Sequence, residues 1–179
     1  MIELKRFRKD FPALMLDEPV AYLDNACVTL KPQSVIDSIQ DYYINTPGCG
    51  GRSVHRYGTH VSKTISQSRK KLSNFLSSPS VNEIVFTRNA THSLNQIAKG
   101  LDWNKGDVVL TTDREHNSNL VPWLQLEQEQ GIDHRIVRSN QDNTFSLESF
   151  EKACADAGSK LKMVSMSHVG NLDGVEIPV

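Results

Sequence analysis

Residues 107–123, DVVLTTDREHNSNLVPW, decide how the chain is read. The first six, DVVLTT, are dominated by apolar and β-branched side chains and read as a buried strand. The charged segment DREH follows, and residues 119–130 read as a helix that Gly131 ends. A strand passing through a short polar turn into a helix is half of a βαβ unit.

Moving outward, the same alternation recurs. EIVFT (83–87) reads as a short strand, followed by a helix over NATHSLNQIAKGL (89–101). Leu94, Ile97, Ala98 and Leu101 fall at i, i+3, i+4 and i+7 of that helix. DHRIVR (133–138) is the next strand. SLESFEKACADA (146–157) is a helix with a serine N-cap and Gly158 beyond its end. KMVSMS (162–167) closes the series as a fourth strand. Upstream, residues 59–76 are helical in pattern, with Val61, Ile65, Leu72, Phe75 and Leu76 near one face. PQSVIDSIQDYYI (32–44) is also helical, with Pro32 suited to a first turn. The glycine-rich NTPGCGGRSVHRYG between these helices is a loop. Strands alternating with helices through short links specify an α/β fold, a mainly parallel sheet with flanking helices. The expected organisation is an N-terminal arm and loop segment over residues 1–58 and a partial α/β domain over 59–179.

Composition narrows the function classes. A chain of 179 residues, 38% hydrophobic and 23% charged, can bury a core. A net charge of −1, with basic runs only in LKRFRKD and SRKKL, argues against nucleic acid as the partner. No apolar stretch has the length of a membrane span, and the charged start lacks a signal-peptide core, so a cytoplasmic protein is expected. Cys27, Cys49 and Cys154 are odd in number and widely spaced, which fits neither a disulfide framework nor a metal site.

In parallel sheets ligands bind beyond the carboxyl ends of the strands. Three segments stand there. RNATHS opens a helix, whose first N–H groups attract anions, and Thr91 adds a hydroxyl. Asn89 alone would be an ordinary N-cap. His116 of DREHNSN can stack on a flat ring or move a proton. HVGNLDG brings His168 and Asn171, and an asparagine amide donates to an oxygen without adding charge. An anion cradle, a ring-stacking imidazole and a neutral donor together suit a flat, phosphorylated, hydroxyl-bearing ring such as pyridoxal 5′-phosphate (PLP).

YLDNA (22–26), SVHR (53–56), EIVFTRNAT (83–91), EHNSNLVPW (115–123) and SHVGNLDG (167–174) resemble the N-terminal motifs of cysteine desulfurases, class V, fold-type I PLP enzymes. EHNSNLVPW is most similar to the sulfur-mobilisation (SUF-type) branch, whose members serve iron-sulfur cluster assembly. The resemblance implies the N-terminal part of a fold-type I large domain. It implies that Ala90 and Thr91 hold the PLP phosphate, that His116 stacks on the ring and that Asn171 bonds the ring's phenolic oxygen. It places Asn25, His55 and Arg56 on the substrate side, the last two on a loop near a dimer-related active site. His92 stands where the family often has an acid, Gly170 where serine is common, and Cys27 where a small residue is usual.

The family's covalent lysine, ring-nitrogen aspartate, persulfide cysteine and carboxylate-binding arginine have no counterparts in these motifs. No lysine falls in the three rim segments, and a sheet edge left after the last strand calls for a cover. The expectation is therefore a split enzyme, inactive alone. A complementary C-terminal-half polypeptide would supply the lysine in a hetero-oligomer or dimer that passes sulfur from L-cysteine to an acceptor protein. A non-catalytic truncated homologue, acting as a binding or regulatory partner in sulfur transfer, is the alternative. A fragment without independent role also stays open.

Overall fold

A computed structural model of the chain describes residues 4–18 and 20–178; Met1–Glu3, Pro19 and Val179 lie outside them. The chain divides into two compact units, residues 1–85 and 86–179. The boundary expected near residue 58 falls inside a helix of the first unit.

The first unit is helical. It contains α1 (Leu4–Arg8), α2 (Gln33–Asn45) and α3 (Arg56–Phe75), with single 3-10 turns at Pro12–Leu14 and Val81–Glu83. Pro32 sits one position earlier than expected, as the N-cap of α2. Its carbonyl accepts from the N–H groups of Val35 and Ile36 at 3.0 and 3.3 Å. Little of this unit is dry: α2 buries none of its residues, and α3 buries Gly58 and Ser73.

The second unit holds the sheet. Its elements are α4 (Ala90–Gly100), β1 (Val108–Thr112), α5 (Asn117–Gln130), β2 (Asp133–Val137), α6 (Leu147–Ala157) and β3 (Leu161–Val164). The strands run parallel in the order β2-β1-β3. All five residues of the central β1 are buried, as the apolar run of a strand covered on both faces requires.

Alternation along β1 sorts the core into two layers. Val109 packs with Ala98 of α4, Trp123 and Leu126 of α5, and Ile132. Val108 and Leu110 pack on the other side with Val137 and Ala157, backed by Phe150 and Cys154 of α6. β3 keeps to this scheme only because it bulges. Val108 pairs with Leu161 but Val109 with Met163, so Lys162 is the extra residue. Leu161 therefore joins the α6 layer and Met163 the α4/α5 layer. Lys162 turns its ammonium to Asp107 at 2.8 Å, to the Asp102 carbonyl, and over the Trp103 ring.

Two expectations are corrected. Residues 83–87 are not a strand. They run from the Val81–Glu83 turn into the start of α4, and the Ile84 carbonyl accepts from the Arg69 guanidinium at 3.1 Å. A β-prone run becomes a strand only where a neighbour offers a ladder, and the sheet of the described residues comprises β1, β2 and β3 alone. The last strand ends at Val164 rather than residue 167. Beyond Ser165, whose N–H still reaches the Leu110 carbonyl, the backbone turns to side chains from the segment after β1.

Trp123 is fully buried, and Trp123→Ala is expected to cost about 3–5 kcal/mol in urea unfolding. His134 on β2 shares a 2.9 Å hydrogen bond with Thr111. Burial pushes its pKa below the ordinary 6.5 against the pull of Glu127 and Asp133. The unfolded chain then takes up the proton more readily than the folded one. The resulting stability is full above about 6.5 and is lost as pH falls through the lowered folded value. His134→Gln should flatten this acid limb; urea midpoints measured against pH that fall equally in both proteins would contradict the assignment.

Candidate functional site

Four consecutive residues after β1 build the carboxyl edge of the sheet, and three of them reach across to neighbouring segments. Asp113 ties β1 to the segment after β2. Its carboxylate accepts from the Ser139 hydroxyl at 2.6 Å and from the Ser139 N–H at 3.2 Å. Burial pushes the Asp113 pKa up, but the Ser139 bonds and the charges of Arg114 and Arg138 outweigh it and hold the acid ionised below its usual range.

Arg114 reaches in the other direction, to Asp173 beyond β3 at 2.9 Å. Glu115 is the most heavily bonded of the set. Its carboxylate accepts from the Thr112 hydroxyl at 2.6 Å, the Asn119 amide at 2.8 Å, the Ser167 hydroxyl at 2.7 Å and the Ser167 N–H at 3.1 Å. Only donors point at it, which is the arrangement an ionised carboxylate satisfies. Asn119, 5% exposed, extends the network. It donates to the Ser165 carbonyl at 3.1 Å and accepts from the Trp123 indole at 3.2 Å and the Ser165 hydroxyl at 2.5 Å.

His116 comes next and caps α5. Its Nδ1 accepts the Ser118 N–H at 3.1 Å, with the Ser118 hydroxyl 2.9 Å away. A nitrogen that accepts from a backbone N–H carries no proton, so the neutral ring holds its proton on Nε2. The ring is exposed, and its Nε2 has no hydrogen-bond partner among the described residues. Asn171 lies in the turn after β3, exposed, with its side-chain amide uncommitted within the described residues. Because β1 and β3 are adjacent and parallel, His116 and Asn171 follow strands that end on the same edge of the sheet. A groove of about 400 Å³ opens there, lined by Glu115, Arg138 and Asn171 among others.

Ala90 and Thr91 are the first two residues of α4. Asn89 caps the helix by accepting the His92 N–H at 2.9 Å, and the Asn89 carbonyl accepts from Ser93. That leaves the exposed N–H groups of Ala90 and Thr91, and the Thr91 hydroxyl, as donors without an acceptor among the described residues. His92 is not part of this set, since its Nδ1 accepts the Arg88 N–H at 3.3 Å. α4 and α5 pack together through Ala98 and Trp123.

Asn25, His55 and Arg56 lie in the first unit. Asn25 opens an exposed turn, its carbonyl accepting from the Thr29 hydroxyl at 3.2 Å. His55 caps α3, with the Gly58 N–H 3.5 Å from Nδ1, and Arg56 is the exposed first residue of that helix. His168 sits in the turn after β3, where it lies 3.4 Å from Glu176 and its carbonyl accepts from Ile177. The lysines of the second unit stand elsewhere than the segments after the strands. Lys99 ends α4, Lys105 precedes β1, Lys152 is in α6, and Lys160 and Lys162 are at the start of β3. Among the described residues no cluster of His, Cys, Asp and Glu has the form of a metal site.

Comparison with known proteins gives a consistent picture. Residues 21–179 match the family model described as aminotransferase class-V. A probable cysteine desulfurase of Synechocystis is 33% identical over 177 residues, covering 96% of this chain and 41% of that protein. A probable cysteine desulfurase of Pyrococcus abyssi is 35% identical, covering 94% and 40%. The apo structure of a cysteine desulfurase from Thermococcus onnurineus superposes with a TM-score of 0.84 at 31% identity, over 96% of this chain and 41% of that one. The chain thus spans about two fifths of the length of these relatives.

The edge network yields a direct expectation. Glu115→Gln replaces an acceptor with an NH2 group that faces the Asn119 and Ser167 donors. It should cost about 1–3 kcal/mol in chemical unfolding, the penalty of leaving such groups unsatisfied. A loss within experimental error would mean the carboxylate does not hold the edge together.

Proposed function

The chain belongs to the aminotransferase class-V family, and we propose that it is the cofactor-binding part of a PLP enzyme acting on L-cysteine. One observation carries the reading: adjacent parallel strands lead to His116 and Asn171 on one edge of the sheet. The relatives named as cysteine desulfurases support the substrate.

The donor set matches the cofactor in kind. The free N–H groups of Ala90 and Thr91 and the Thr91 hydroxyl suit a phosphate at a helix N-terminus. The exposed imidazole of His116 suits a flat ring, and the uncommitted Asn171 amide suits a ring oxygen. When bound, PLP supplies an electron sink for bond breaking at the amino acid. The chain's own residues bind and orient it, and Nε2 of His116 holds or moves a proton. In the net reaction the C–S bond of L-cysteine breaks and the sulfur passes to an acceptor thiol as a persulfide. The carbon skeleton gains a proton and leaves as L-alanine.

No lysine among the described residues of the second unit stands at the carboxyl edge, which supports a covalent lysine contributed from elsewhere. It lies on a C-terminal half that either continues this chain or is a second polypeptide. Asn25, His55 and Arg56 are assigned to the substrate by resemblance alone.

Ala90→Pro tests the phosphate site cleanly. Proline fits the first helical position, and Asn89 before it is already extended (ψ 174°), so only the N–H is lost. The variant should fold normally and bind PLP about tenfold more weakly, as removal of one charge-assisted bond predicts. The wild-type chain with PLP and L-cysteine should release no alanine until the lysine-bearing half is added. Absence of saturable PLP binding would overturn the cofactor assignment. Alanine release by the chain alone would overturn the assignment of the lysine elsewhere.

A further inference from the structure

The turn carrying Asn171 is held by an ion pair that crosses the edge of the sheet, and its geometry depends on a glycine. Arg114, two residues beyond β1, meets Asp173 at 2.9 Å. Both side chains are about one-third exposed. Gly170 lies against the Asp173 side chain, so that a Cβ there would stand 2.3 Å from Asp173 Oδ1. That is far inside contact distance, so the carboxylate occupies space that a side chain at 170 would fill. The same Oδ1 accepts the Val175 N–H at 3.1 Å. The Gly170 N–H reaches the Val175 carbonyl at 2.8 Å, and the Gly174 N–H reaches the Gly170 carbonyl at 3.0 Å. Asn171 is thus enclosed in a loop whose base is stitched by backbone bonds and whose far side is pinned to Arg114. On the other flank Glu115 holds Ser167. Two neighbouring residues after β1 therefore grip the segment after β3 on both sides of Asn171.

We propose that Arg114 and Asp173, packed across Gly170, are positioning residues that orient the Asn171 amide toward the cofactor's ring oxygen. This rests on the functional reading above for the identity of the ligand. On this proposal the ion pair acts through Asn171. Arg114, Gly170 and Asp173 line both the 400 Å³ groove that contains Asn171 and a small neighbouring cavity reaching Phe145 and Ile177. The pair is thus the wall between the two, and its loss frees the turn to move toward either.

The test uses the 179-residue chain with amide hydrogen exchange at residues 170 and 174 and, separately, PLP affinity. Arg114→Ala should speed exchange at both positions about fivefold, the upper range for a pair this exposed, and weaken PLP by a similar factor. Arg114→Lys should recover most of both. Gly170→Ala should reproduce the Arg114→Ala effects in the wild-type background and have none in an Asp173→Ala background, because its Cβ acts only by displacing that carboxylate. An Arg114→Ala protein with unchanged exchange overturns the proposal. So does a Gly170→Ala effect of equal size in both backgrounds, or faster exchange with unaltered PLP affinity. If the wild-type chain takes up no PLP, the functional reading fails and Asn171 loses the ligand it would be oriented toward, which overturns the positioning role as well. The exchange pattern then still shows which of the two failed first: intact coupling of Arg114, Gly170 and Asp173 places the fault in the ligand assignment.

Discussion

The carboxylate of Glu115 is the joint on which the second unit's functional edge depends. A partly buried acid with no cation against it among the described residues is stable only when its lone pairs are filled, and here four donors fill them. Those donors come from the end of β1, the first turn of α5 and the segment after β3. One side chain therefore fixes three pieces of backbone. Its neighbours divide the remaining work: Asp113 secures the segment after β2, and Arg114 the far side of the turn after β3. His116, the fourth residue, is left to start α5 and to present Nε2 outward. Three residues in a row anchor an edge, and the residue after them caps a helix with its ring exposed.

Much of this unit was legible because it is local. The apolar run of β1, the caps at Asn89 and Ser146, and the left-handed Gly131 (φ 72°) that ends α5 each follow from a few adjacent residues. EIVFT was misread for the opposite reason, since a strand is defined by its neighbour and nothing within those five residues reveals whether one exists. The end of β3 was misplaced because Ser167 gives its N–H to an acid 52 residues earlier. The edge ties were likewise invisible: Asp113 and Ser139 are 26 residues apart, and Arg114 and Asp173 are 59 apart. The one local hint was the charge cluster DRE directly after a buried strand, where ionised groups need partners to be tolerated. Sequence reading singled out His116 and Asn171 and passed over the residues that hold them.

The two units contrast in how they are stabilised. The second buries β1 completely between α4 and α5 on one face and α6 on the other. The first leaves Leu23 92% and Val54 98% exposed and dries little of α2 or α3. The chain also covers about two fifths of the relatives it matches, and the buried hydrophobic core of the described residues lies in the second unit's sheet and its flanking helices. The functional proposal draws its phosphate donors, imidazole and amide from that unit alone.

The central claim is that Ala90, Thr91, His116 and Asn171 form one ligand site. It is tested most directly by titrating PLP into isotope-labelled protein while following the backbone N–H signals of Ala90 and Thr91, the ring nitrogens of His116 and the Asn171 side-chain amide. The account expects His116 to carry its proton on Nε2 before ligand is added, and all four residues to shift together along one saturable curve. Shifts that are confined to surface lysines, or that follow separate curves at the four residues, would contradict it.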